Sequence, residues 1–493
     1  MSLQKNVHSE VATSGNLAIV SQLHTPARPS SRSSAIEHQL RTGIGIGVLE
    51  TGTRLPNEQV MAHHMGVSAL TLRQALSRLR DEKLVSTRPG RGGGTFISAS
   101  LTALEQLAKE TLGKTSLANI SDLARSISEI HASAARLAAQ VRDDFDRTEL
   151  DLNLKRLFEP MTAIERRRAG TLYVIAIARI ARSESLLSSL LPLIGEFQLL
   201  AWTDESNGII NDLNQAAIRT ADAIDRADPE DASQAARKHI QILARHISHE
   251  RSRLFAVSPN SKNLTPKDAF YDVLDHVRQI QTSLQQARLQ FEALQAPQYA
   301  RAKPAERIDQ LVKDIALRNK TLLRGAGIAY APGMLQDTHL WIDWWDAGES
   351  LDLTFKSHDF NSQALQYYDY QHMPWFSQPL QTGKFSVVGP YLDRGGIETS
   401  TITVSTPITN GSFAGSVLGA DLHIPSIEEV LLKNSSTIGH GHILVNKTKR
   451  VLVSTDPTIM HSSILKPKQE SQYSLVAQEE TNIITNWKLL RTS

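Results

Sequence analysis

The sequence predicts a multidomain chain with a winged helix-turn-helix, an all-α helical bundle and an α+β unit, in that order. Three observations carry this. Between Leu55 and Ile97 the run LPNEQVMAHHMGVSALTLRQALSRLRDEKLVSTRPGRGGGTFI reads as a helix, a tight turn, an Arg-bearing second helix and a Gly-rich basic hairpin. From Leu101 to about Phe255 apolar residues recur at i, i+3 and i+4, as in ISEIHASAARLAAQV and SLLSSLLPLIGEFQLLAW. Beyond that, a further helical stretch gives way to Gly, Pro, aromatic and β-branched runs that alternate as strands.

A length of 493 residues suits about three domains. With 53 basic and 51 acidic residues the chain is nearly neutral, so attraction to nucleic acid must be local. Residues 33–98 hold eight Lys/Arg against five Asp/Glu, a net of +3 with the right sign for phosphate contact. The absence of cysteine removes disulfides, thiolate metal sites and Cys nucleophiles. No apolar run approaches the roughly 20 residues that span a bilayer, and the greasiest stretch, Leu172 to Ala181, is interrupted by Arg179 and followed by Arg182. The N-terminus does not resemble a signal peptide. The expectation is a cytoplasmic protein with no membrane partner.

Residues 1–32 are polar and Ser-rich, ending in HTPARPSSRSS, and read as a disordered arm whose Arg28 and Arg32 lie within reach of a DNA groove. The first folded domain is placed at 33–98. Asn57 caps its second helix, where Val60, Met61 and Met65 form an apolar face and Gly66 ends it. Ser68 caps the next helix, in which Leu72, Leu76 and Leu79 face inward while Thr71, Arg73, Ser77 and Arg80 point elsewhere. Side chains near the start of such a helix reach base edges in the major groove, and Arg suits guanine. Leu84–Ser86 and Thr95–Ile97 form two short strands joined by TRPGRGGG, whose glycines allow close approach to a phosphate backbone and whose Arg88 and Arg91 add charge.

Over Ile36 to Ile97 the sequence resembles the GntR family of bacterial transcription regulators, through GTRLPNE, the GVS turn, LTLRQALSRL and the wing GRGGGTFI. The resemblance implies DNA contacts at Arg54, Ser68, Thr71, Arg73, Arg91, Gly92 and Gly93. Ala69 stands where many relatives carry a polar or basic residue, so the resemblance implies no particular operator.

The middle, 101–255, resembles the all-α effector domain (FCD type) of the FadR branch of that family. Arg125 and Glu129 match its opening helix, YVIAIARIARSESLL its central helix and AIDRADPEDASQAARKHI its closing pair. Many relatives hold a divalent metal there through an Asp and three His. The matching positions here are Gly170, Val174, Ala217 and His239, so three ligands are gone and no metal is expected; a lone imidazole is too few. His246 and His249 are nearby and stay open as alternative ligands, but as an i, i+3 pair on a charged helix they read as solvated. The expected role is dimerisation and coupling.

A polar stretch at 258–267 reads as a linker. A helical pattern follows over Pro266 to Leu323, interrupted near Gln295 to Pro304, and then the strand-like runs HLWIDWW, GKFSVVGPYLD, TSTITVSTPIT, FAGSVLGADL and GHILVNKTKRVLVST. Residues 266–480 resemble the Cache superfamily of small-molecule sensors, a PAS-like antiparallel sheet with a long N-terminal helix, through YYDYQHMPWFSQPL, VVGPYLD and the pair TVSTPI and SVLGADL. The resemblance places a ligand pocket at Tyr368, Met373, Trp375, Phe376, Tyr391, Asp393 and Asp421. Met373 stands where amino-acid sensors of this type carry the Arg that grips a carboxylate. What remains, aromatic faces and two carboxylates, attracts an ammonium group. The tryptophans of WIDWW either line that pocket or fill the sheet.

The function these readings imply is a ligand-responsive transcription regulator, not an enzyme, with no cofactor. Its expected partners are double-stranded operator DNA, an amine or quaternary-ammonium effector and a second copy of the chain as a homodimer. Two alternatives stay open: a carboxylate or amino-acid effector bound in the helical domain, and a cytoplasmic sensor that does not bind DNA.

Overall fold

The computed structural model describes residues 16–17, 19–23, 31–90, 93–159, 162–201, 209–256, 265–294, 306–319, 321–335, 338–347, 353–364, 367–393, 400–433, 441–456, 459–479 and 485–493. The chain divides into two compact units, 1–251 and 252–493.

The first unit opens with α1 (Arg32–Gly45), α2 (Glu58–His64), α3 (Ala69–Asp81) and the antiparallel hairpin β1 (Val85–Arg88) and β2 (Gly94–Ile97). Each helix starts where a polar side chain satisfies an otherwise orphaned amide: Ser31 accepts from Ser34, Asn57 from Val60 and Ser68 from Thr71. On α3, Leu72, Ala75, Leu76 and Leu79 are buried, one side of the helix, as their spacing requires. The strands begin and end within two residues of their expected limits.

Seven helices follow: α4 (Leu101–Lys114), α5 (Leu117–Val141), α6 (Asp144–Phe158), α7 (Ala163–Ile180), α8 (Glu184–Ala201), α9 (Ile210–Asp225) and α10 (Pro229–Ala256). A capping box between Thr162 and Glu165 starts α7. The winged helix-turn-helix and the bundle are not separately cored. Leu40, Ile44, Leu72, Leu76 and Ile97 belong to one cluster with Leu104, Ala108 and Leu199. Arg167 on α7, fully buried, donates to the Gly45 carbonyl at 3.0 Å.

The same cluster corrects the disordered arm at residues 16–17 and 19–23, while residues 1–15, 18 and 24–30 lie outside the described residues. Leu17, Val20 and Leu23 are buried within it, and the Asn16 amide donates to the Val48 carbonyl at 2.9 Å. Composition averaged over 32 residues concealed the short apolar run NLAIVSQL, and that run finds a place in a core larger than one domain. Arg32 is the first residue of α1, while Arg28 lies outside the described residues.

The second unit starts with α11 (Pro266–Glu292) and α12 (Glu306–Arg318). A six-stranded antiparallel sheet follows, built from β3 (Leu323–Ala329), β4 (Ile342–Ala347), β5 (Leu353–Phe355), β6 (Ser386–Leu392), β7 (Ser400–Pro407) and β8 (Val417–Leu422) in the order β5-β4-β3-β8-β7-β6. Helix α13 (Pro374–Thr382) precedes β6, and α14 (Ile424–Lys433) leads to a second, four-stranded sheet. That sheet has the order β10-β9-β12-β11, from β9 (His442–Val445), β10 (Val451–Ser454), β11 (Tyr473–Gln478) and β12 (Lys488–Thr492). Helix α11 buries Phe270, Val273, Val277, Ile280, Leu284, Ala287 and Phe291, a stripe that packs on β7 and β8 of one sheet and β11 of the other. The expected boundary at 480 is corrected, since β12 pairs with both β9 and β11 and closes the second sheet.

Candidate functional site

In the winged helix-turn-helix, the Ser68 hydroxyl accepts from the Thr71 amide at 3.1 Å and meets the Thr71 hydroxyl at 2.8 Å. Arg73 projects from the exposed face of α3, and its Nε donates to Glu58 Oε2 at 2.5 Å. With side chains 62% and 39% exposed, that pair is weakly held and yields readily to a stronger anion. Arg54 is exposed, and its backbone bridges to Phe96 of the wing. In the wing turn the Gly93 amide donates to the Gly90 carbonyl at 2.8 Å. A Cβ on Gly93 would stand 2.2 Å from the Arg88 carbonyl oxygen, so the turn admits only glycine there. The Arg88 guanidinium lies over the Phe96 ring at 4.6 Å. Arg91 and Gly92 lie outside the described residues.

In the bundle, Gly170 and His239 border a small cavity with Arg166, Gln198, Leu213 and Asn214, while Val174 and Ala217 are fully buried core residues. The Gln198 amide fills the space beside Gly170 that a ligating side chain would need. His131, Tyr173 and His239 form a buried aromatic cluster with ring centroids 5.3 to 6.4 Å apart. Burial drives the imidazole of His131 down to about 3 and that of His239 down to about 4, so both are neutral. These residues do not fit a divalent metal: among the described residues no group of three or more His, Cys, Asp or Glu is placed to hold one. His246 is buried rather than solvated, and His249 is half-exposed beside Glu250.

In the second unit the alternation of the strands puts Ile342 and Trp344 of β4, Asp421 of β8, Thr403 of β7 and Tyr391 of β6 on one face of the larger sheet. With Lys356, His358, Tyr368, Trp375 and Asp393 they line a small chamber. Thr403 donates to Asp421 Oδ1 at 2.6 Å and meets the Tyr391 hydroxyl at 2.5 Å. Tyr368 donates to Asp393 Oδ1 at 3.3 Å, and Lys356 Nζ to Asp393 Oδ2 at 3.1 Å. Burial, and then the Asp393 carboxylate, push Asp421 up to about 7. Burial and the Lys356 charge hold His358 down to about 4, a neutral ring stacked on Tyr368 at 5.0 Å.

Of the seven expected pocket residues, Tyr368, Trp375, Tyr391, Asp393 and Asp421 meet in this chamber. Met373 and Phe376 do not line it. Phe376 is a buried core residue packed on Tyr370, because it sits one position round α13 from Trp375. Met373, the N-cap of α13, joins Lys384, Arg450 and Trp487 in lining a larger cleft of about 770 Å³, which shares Trp375 and Tyr391 with the chamber. Sequence reasoning missed Lys356, His358 and Thr403. Lys356 closes the run LDLTFK, where alternation reads as a solvated edge strand, and nothing local marks it as buried. The tryptophan run divides as a strand dictates: Trp344 lines the chamber, whereas Trp345 packs on Phe355.

Residues 32–97 match the model of the bacterial regulatory proteins, gntR family, and residues 308–429 match the methyl-accepting chemotaxis protein-like, first PDC sensor domain. The Mycobacterium tuberculosis HTH-type transcriptional regulator Rv1152 is 36% identical over 113 residues, 22% of this chain and 84% of that protein. A Mycobacterium gastri protein bearing the name HTH-type transcriptional regulator RmpR is 29% identical over 232 residues, 46% of this chain and 84% of its own length. Among solved structures, Escherichia coli McbR/YncC covers 43% of this chain and 94% of its own at 19% identity, with a TM-score of 0.25. The ligand-binding domain of the Pseudomonas fluorescens chemoreceptor CtaA, solved with L-alanine, covers 46% and 92% at 17% identity, with a TM-score of 0.31. The mycobacterial relatives are transcription regulators and not enzymes. The chain therefore belongs to the gntR family of bacterial regulatory proteins, as a DNA-binding transcription regulator that carries a C-terminal PDC/Cache-like sensor domain.

Proposed function

We propose that this regulator responds to a small molecule bearing an ammonium group, captured in the chamber of the sensor domain. The observation that carries the reading is the chamber's set of acceptors and aromatic rings. Two carboxylates, Asp393 and Asp421, and the hydroxyls of Tyr368 and Tyr391 share one chamber with the indoles of Trp344 and Trp375, whose ring centroids lie 6.3 Å apart at a tilt of 58°. Carboxylates and aromatic faces together favour a cation. Met373 lines the larger cleft and takes no part in this set.

In this reading Arg54, Ser68, Thr71, Arg73, Arg91, Gly92 and Gly93 contact operator DNA, the protein acts inside the cell, and a homodimer sets two α3 helices in successive major grooves. Ligand capture shifts the population of arrangements that fit the operator, and tenfold release requires about 1.4 kcal/mol of coupling. The test is a thermal-shift screen of the full chain against amines, amino acids and carboxylates, repeated on Asp421→Asn, with DNA binding measured for each hit. An amine that stabilises the wild type, loses that effect in Asp421→Asn and changes DNA affinity supports the reading. Stabilisation by carboxylates but by no amine sinks it.

A further inference from the structure

The chamber already contains an ammonium group, and it belongs to the chain itself. Lys356 follows β5, the three-residue strand at one edge of the larger sheet, and Asp393 follows β6, the strand at the opposite edge. Their side chains meet with Nζ 3.1 Å from Oδ2, the lysine 7% and the aspartate 6% exposed. Tyr368 donates to the other oxygen of the same carboxylate. With this pair in place the chamber leaves only about 10 Å³, room for about one water molecule. No organic cation fits beside it.

We propose that Lys356 is a tethered competitor, occupying the Asp393 end of the effector site in the resting protein, and that a cationic effector binds by displacing it. This rests on the ammonium reading and adds how the site is kept shut. A buried carboxylate gives up its partner only to a group that satisfies it equally, which an alkylammonium does and a neutral molecule does not. Lys356 is well placed to leave. It hangs from the shortest strand of the sheet, at an edge, where its own amide still donates to the Trp344 carbonyl at 2.8 Å. Such an edge opens locally while the inner strands stay paired. Displacement also unlinks the two sheet edges, a change of shape that an empty, preformed pocket would not produce. The apparent affinity is lowered by the fraction of molecules in which Lys356 is in place.

The test is chemical rescue in the full chain. Lys356→Ala removes three methylene groups and an ammonium, and n-propylammonium restores those atoms. The melting temperature of Lys356→Ala is expected to fall and to recover in millimolar n-propylammonium chloride, while the wild type does not move and n-propanol moves neither. Binding of the amine to the variant is expected to be at least about tenfold tighter than to the wild type. Adding Asp393→Asn abolishes the rescue. Equal stabilisation of the wild type, rescue that survives Asp393→Asn, or no rescue of a variant whose circular dichroism is native overturns the proposal. Should Lys356→Ala not fold, Lys356→Gln is expected to bind n-propylammonium more tightly than the wild type, and weaker binding overturns the proposal. Loss of amino-acid binding in Lys356→Gln also overturns it, by making Lys356 a partner for a ligand carboxylate, yet leaves the ammonium reading intact. Rescue without any effect of amines on DNA binding does the reverse.

Discussion

Asp421 is expected to make the sensor chamber sensitive to pH. Burial, and then the Asp393 carboxylate, push its carboxyl up to about 7 from an ordinary 3.8. A raised folded pKa contributes stability that is complete below about pH 4, where folded and unfolded chains both hold the proton, and is lost as pH rises through about 7. The loss is on the order of 4 kcal/mol. The melting temperature of the wild type, relative to Asp421→Asn, is therefore expected to fall between about pH 4 and pH 7 and then level off. Ammonium capture runs the other way, since it needs the carboxylate: amine affinity should climb through about pH 7 in the wild type and stay flat in Asp421→Asn. A flat wild-type profile by calorimetric titration places the amine elsewhere. On the DNA side, Arg73→Ala is expected to weaken operator binding by about 1–3 kcal/mol. Glu58→Ala, which frees Arg73, should tighten it by less than about 1 kcal/mol. Fluorescence anisotropy at two salt concentrations reads both, and equal weakening by the two variants would falsify the assignment of Arg73 to DNA.

At the scale of elements, the chamber depends on a pair of facing glycines in β3 and β8. Gly327 of β3 lies opposite Trp344 of β4 and Gly419 of β8, and the indole of Trp344 lies over both glycines. A Cβ on Gly327 would meet Trp344 Cε3 at 2.4 Å and the Asp343 carbonyl oxygen at 2.3 Å. Gly327→Ala is thus expected to destabilise the sensor domain by about 1–3 kcal/mol or more and to turn Trp344 out of the chamber, seen as a shift in tryptophan fluorescence together with a lower melting temperature. Unchanged emission and stability would show that the strands part without cost. Much of this level was legible beforehand. Ser68 as a cap, the inward Leu72, Leu76 and Leu79, and the strand alternation all follow from local chemistry that one segment contains by itself. Lys356 was not legible, because its burial is created by Asp393 at the far edge of the sheet, and a pattern within LDLTFK has no access to that partner. Met373 and Phe376 misled for a related reason: a motif matched position by position says which residues are neighbours in sequence, whereas the turn into α13 decides which of them face the chamber.

For the whole molecule, the order of domains was readable from periodicity, but their boundaries were not, because cores are set by contacts between segments. Leu17, Val20 and Leu23 pack with Leu40, Ile44 and Leu199 across stretches that look independent when read in a line. Deleting residues 1–23 is expected to remove about 1.5–3 kcal/mol for each of the larger buried side chains and to lower the melting temperature of the first unit. An unchanged transition in differential scanning calorimetry would return that segment to the solvent. The shared core has a further consequence for gene fusion. A winged helix-turn-helix cut out at Ser98 and joined to a foreign sensor leaves behind Leu104, Ala108, Leu199 and the Arg167 tie to Gly45, so its own inner face arrives uncovered. A fusion that keeps the winged helix-turn-helix and the bundle together is expected to retain this core and its thermal stability, whereas one cut at Ser98 is expected to lose both.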